Sequence, residues 1–114
     1  MKQLSLAFLN TRGWNEGKWR TIIEENSECD VIGIAETGWH DSVHWREGGW
    51  IGIGKGREVG QKKGGGVGIL IREKEGRRLV EVREDEAVRN LGYNKGDIMT
   101  AKIKEGGDIW WITI

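Results

Sequence analysis

Two polar residues stand where apolar runs end. Asp30-Val-Ile-Gly-Ile-Ala-Glu36 closes on a carboxylate, and the run from Gln3 closes on the amide of Asn10. A carboxylate at the carboxyl end of a buried strand is costly to desolvate unless it is paired, holds a cation or faces a cleft. Glu36 is therefore a site candidate, weighed against a plain strand-to-loop transition with its side chain in solvent. His40 and His44, four apart, invite a metal reading, but no helix is signalled there and Cys29 belongs to another segment; they read as loop histidines. The glycine-rich stretch Lys55 to Gly65 sets Lys55, Arg57, Lys62 and Lys63 against Glu58. It reads first as a solvated hairpin tip, and Lys62 and Lys63 could touch phosphates there.

The elements that must position these groups follow from the apolar pattern. Gln3 to Asn10 predicts a first strand with Leu4, Leu6 and Phe8 on one face and Ala7 and Leu9 on the other, both faces covered. Asn15 is a helix N-cap, with Glu16 near the positive end of the dipole and Trp14 and Trp19 at staple spacing around it. Trp19, Ile22 and Ile23 form the helix's apolar stripe, while Lys18, Arg20, Glu24 and Glu25 face water. Val31, Ile32, Ile34 and Ala35 read as a strand buried on both faces. Strand, helix, strand predicts a right-handed parallel crossover, which places Asn10 and Glu36 at one edge of a sheet.

Beyond Glu36, the expectation is a polar loop from Thr37 to Gly48 and strands over Gly49–Gly54, Gly66–Arg72 and Arg78–Glu84. Asp85 to Lys95 reads as irregular, followed by a strand over Asp97–Lys104 and a Gly106-Gly107 turn into a central strand from Asp108 to Ile114. One helix cannot cover six or seven strands on both faces, so a second layer is expected to be missing or supplied by another chain. With the apolar run still in progress at Ile114, residues 1–114 are expected to be the first, incomplete part of a larger domain.

Composition narrows the partners. The 114 residues carry 18 Lys+Arg against 18 Asp+Glu, so no global field draws the chain to nucleic acid or membrane, and any polyanion site is local. A single cysteine excludes an internal disulfide framework, and no apolar run is long enough to span a bilayer, so an intracellular, non-membrane protein is expected. The seven tryptophans must divide between core and binding surface.

Three segments resemble one family. Leu9-Asn-Thr-Arg-Gly-Trp14 is similar to the first-strand Asn-x-x-Gly motif of the endonuclease/exonuclease/phosphatase superfamily. Asp30 to Thr37 is similar to that family's second-strand motif ending in Glu-Thr, and Gly65 to Ile71 follows in order. Trp111-Ile-Thr-Ile114 resembles the strand before the family's Asn-x-Tyr-x-Pro segment. The arrangement looks closest to endonuclease domains of non-LTR retrotransposons.

The resemblance implies an α/β fold, a partial four-layered α/β sandwich truncated after roughly its first half, in a Mg2+-dependent phosphodiesterase. It implies Glu36 as a ligand of Mg2+ (or Mn2+) and Asn10 as a group near metal and scissile phosphate. Arg12 stands where relatives often carry a short polar or acidic side chain, and with Lys62 and Lys63 it is a candidate substrate contact. The catalytic tyrosine, aspartates, asparagine and histidine of the family have no counterpart here. The chain alone is expected to be inactive, with DNA and the missing C-terminal half as partners, and a nuclear location if retroelement-encoded. Two other readings stay open. One is a non-catalytic module whose tryptophans and basic loop bind single-stranded nucleic acid or a protein; the other is a small-molecule phosphatase of the same superfamily.

Overall fold

The computed structural model describes residues 3–39, 42–56, 65–83 and 99–114. Their elements run β1 (Leu6–Asn10), α1 (Glu16–Glu25), β2 (Val31–Ala35), β3 (Ser42–Glu47), β4 (Trp50–Lys55), β5 (Val67–Arg72), β6 (Arg77–Arg83), β7 (Thr100–Glu105) and β8 (Asp108–Thr113). Residues 57–64, with Lys62 and Lys63 of the expected basic loop, residues 84–98, with the expected irregular segment Asp85 to Lys95 and the start of the expected strand Asp97–Lys104, and His40 lie outside the described residues, as does the Glu16 side chain.

The strands divide into two sheets. The first has the order β1-β2-β5-β4-β3 and the second β6-β7-β8. Only β1 and β2 run parallel, joined across α1; the other pairs are antiparallel. Alternation along β2 and β5 sends Val31, Val67, Ile69 and Ile71 to one face, where they pack on Met99, Ala101 and Ile103 of the second sheet. Ile32, Ile34 and Leu70 go to the opposite face and meet Trp19 and Ile22 of α1, with Trp50 beside them. The continuous burial of β2 thus has two causes, a sheet on one side and a helix on the other.

This arrangement overturns the four-layered α/β sandwich, whole or partial. The protein is mostly β: helix, mixed five-stranded sheet, three-stranded antiparallel sheet. Among the described residues only Glu16–Glu25 is an α-helix, and the remaining apolar segments pair as strands. The second sheet covers Val31, Val67, Ile69 and Ile71 of the first, but not Leu6 and Phe8 of β1.

Three local expectations also change. The loop predicted from Thr37 to Gly48 contains β3, whose Val43 and Trp45 alternate with His44 and Arg46 and pair with β4 through a Gly48-Gly49 turn. Both turn glycines take positive φ, 60° and 83°, as a two-residue hairpin with the twist of its strands requires. Strand β8, expected to be central, ends its sheet. Strand β1, expected to be covered on both faces, is a sheet edge with Leu6 58% and Phe8 61% exposed, because the three-stranded sheet does not extend over them.

α1 forms where the sequence signals it. Asn15 Oδ1 accepts from the Lys18 backbone N–H at 2.9 Å, and the rings of Trp14 and Trp19 meet at 6.2 Å around the cap. Trp14 and Trp19 join Trp39 and Trp45 in edge-on and tilted contacts with centroids 5.2 to 6.2 Å apart. Gly52 and Gly54 of β4 leave the room: a Cβ at Gly52 would strike the Trp45 ring, and one at Gly54 the Trp39 ring.

Candidate functional site

Parallel pairing sets Asn10 opposite Ala35, so Asn10 and Glu36 come to the same edge of the first sheet. The two loops leaving that edge are stitched together. Thr11 N–H donates to Ala35 O at 2.9 Å, Thr11 Oγ1 donates to the same oxygen at 2.9 Å, and Gly13 N–H donates to Glu36 O at 2.7 Å. Asn10 Oδ1 accepts from Arg12 N–H at 3.1 Å, closing a tight turn.

Among the described residues, the non-glycine positions with left-handed backbone are Arg12, φ 49°, and Glu36, φ 54°. Both lie in the two loops that follow the parallel strands. Such a conformation costs an L-residue about 1 kcal/mol or more and persists only where its surroundings enforce it. Here the cross-loop hydrogen bonds do so. The left-handed φ also takes Glu36 out of strand alternation, and its side chain is exposed. Glu36 is in solvent, as the plainer alternative had it, while its backbone is tied to the Asn10 loop.

Lys18 is the positioning residue that the helical pattern hid. Read as a water-facing helix residue, it instead brings Nζ to within 2.7 Å of Thr11 O, 3.2 Å of Arg12 O and 3.1 Å of Gly13 O. One ammonium thus binds three successive carbonyls of the loop between β1 and α1, spending its three donors on them. On the far side, buried Thr37 follows Glu36; Gly38 N–H donates to Gly65 O at 2.9 Å, and Trp39 N–H to Thr37 Oγ1 at 3.3 Å. Gly66, with φ 89°, lies against Thr37, and a Cβ there would strike Thr37 Oγ1.

A cleft of about 480 Å³ opens between β1 and α1, lined by Asn10, Thr11, Asn15, Lys18, Thr21 and Ile22 among others. Asn10 lies on its wall and Glu36 does not. Arg12 is exposed in the turn between them. His44 is an exposed residue of β3, on the opposite edge of the sheet from Asn10, and does not join the site.

The donor set can be tested against a hard divalent cation. One carboxylate and one amide oxygen at adjacent strand ends suit Mg2+, which usually keeps several waters and takes one or two protein carboxylates. Among the described residues no group of three or more His, Cys, Asp and Glu side chains is placed to hold a metal ion. Comparison with protein-family models, curated proteins and solved structures finds no match for this chain.

Proposed function

We propose that the Asn10–Glu36 edge is the metal-binding part of a phosphodiester-cleaving centre, acting on DNA, and that the remaining catalytic groups are brought by further polypeptide. The observation that carries this reading is the paired left-handed conformation of Arg12 and Glu36 on loops hydrogen-bonded to each other at the ends of parallel strands. Strain of this kind gathers where geometry serves a ligand. The similarity of the segments around Asn10 and Glu36 to the endonuclease/exonuclease/phosphatase motifs supports the choice of chemistry.

Glu36 and Asn10 would hold the cation, which when bound polarises a phosphoryl oxygen. The chain's own groups do the rest of the positioning. Asn10 Oδ1 accepts from Arg12 N–H and keeps a second lone pair for the cation, while its amide N–H groups would meet a phosphate oxygen. The exposed Arg12 guanidinium offers paired donors to the same anion. Lys18 holds the loop that carries both.

Further polypeptide has a place to go. Leu6 and Phe8 point to the side of the first sheet that faces the second, yet they are exposed, and Phe8 lies beside Ile114 near Gly33. An additional strand laid along β1 or β8 would cover them.

The test is a Mn2+ titration of the chain followed by NMR, with Mg2+ competition and plasmid nicking in parallel. Selective broadening at Asn10 and Glu36, lost in Glu36→Gln, with no nicking by the chain alone, is the expected result. Broadening elsewhere, or nicking that survives Glu36→Gln, would overturn the reading.

A further inference from the structure

The outer face of the second sheet gathers cations around an exposed indole. Cross-strand register lays out three rows on it: Arg78, Lys104, Ile109; Glu81, Lys102, Trp111; Arg83, Thr100, Thr113. Arg78, Arg83, Lys102 and Lys104 thus face Glu81 on a chain whose total charge is zero. In their midst Trp111 is 47% exposed, with Arg83 Cζ 4.6 Å and Lys102 Nζ 5.0 Å from its ring centroid.

We propose that this face binds single-stranded nucleic acid, with a base stacked on Trp111 and phosphates met by the surrounding cations. The site is separate from the Asn10–Glu36 edge and does not depend on the reading given for it. Charge complementarity selects the occupant. A protein interface of ordinary composition is depleted in lysine and would have to desolvate four cations. A polyanion supplies a phosphate for each of them, and unpaired bases supply planar faces for an indole. A duplex keeps its bases stacked on each other and offers Trp111 none. On binding, the base takes the place of one of the cations over the ring, and the released cation turns to a phosphate.

The test is fluorescence anisotropy of a labelled oligothymidylate of about ten nucleotides, titrated with the 114-residue chain over a salt series. Trp111→Ala should weaken binding about tenfold, and Trp111→Phe should restore most of it. The slope of log affinity against log salt should be about −2 to −3, and Lys102→Gln should reduce its magnitude by about 0.7. Circular dichroism of each variant confirms the fold. The proposal is overturned by binding that ignores Trp111→Ala, by a duplex of equal length competing as well as the single strand, or by absence of binding at low salt. Displacement by polyglutamate with the same dependence on Trp111 would assign the face to an acidic protein instead, and would overturn it too.

Discussion

Arg77 Nη2 lies 2.9 Å from Asp30 Oδ1, so the first residue of β6 in one sheet is tied to the residue before β2 in the other. The Arg77 side chain is almost wholly buried, its Nη1 donates to Arg72 O at 3.0 Å, and Glu105 stands 3.5 Å away. Removing one partner of such a pair leaves the others desolvated. Arg77→Met should destabilise the fold by about 3 kcal/mol, read as a lower denaturation midpoint.

The same pair makes stability depend on acid. Burial pushes the Asp30 carboxyl up, but the Ser5 N–H bond, Arg77 and Arg72 together outweigh it and hold the group below its ordinary 3.8. A lowered folded-state value stabilises the protein above the ordinary value, and that contribution is lost as pH falls through the lowered one. Asp30→Asn should therefore be less stable at neutral pH, with the gap to the parent closing below about pH 3.8. Thermal melts at stepped pH measure it; a constant gap would exclude this origin.

Lys18→Met should loosen the loop between β1 and α1 by about 1–2 kcal/mol, since charge-assisted hydrogen bonds to three carbonyls are lost. Hydrogen exchange at Thr11 and Gly13 should accelerate, while exchange in β4 and β5 stays slow. Uniform acceleration would mean that Lys18 acts on the whole fold.

Gly66 and Gly76 separate backbone strain from crowding. Both have positive φ, 89° and 79°, but a Cβ at Gly76 meets open space and one at Gly66 meets Thr37. Gly76→Ala should cost about 1 kcal/mol, and Gly66→Ala distinctly more, with chemical-shift changes spreading to Glu36 and Trp39.

What the sequence disclosed is what local chemistry decides. Asn15 and the Trp14–Trp19 pair marked the start of α1 because a cap and its staple lie within a few residues of each other. Val31 to Ala35 announced a strand covered on both sides, and the crossover through α1 brought Asn10 and Glu36 to one edge. The division into two sheets was hidden, because it depends on Ile69 and Ile71 meeting Ala101 and Ile103, contacts no local pattern encodes. β3 was masked by the polarity of His44 and Arg46, although Val43 and Trp45 kept its alternation. The hold of Lys18 on three carbonyls depends on how the loop folds back. Nor could the left-handed turn at Glu36 be read from residue type, since glutamate rarely adopts it.

The place of β2 in the first sheet bears on the order of assembly. β3 with β4, and β7 with β8, are hairpins closed by two-residue turns, whereas β2 must find β1 across a helix and β5 across β3, β4 and residues 57–64. Contacts that close long loops lose more chain entropy and form late. In pulse-labelled exchange during refolding, β4 and β8 should gain protection before Ile34. The edge that carries Glu36 would then acquire its shape only after these two hairpins have formed.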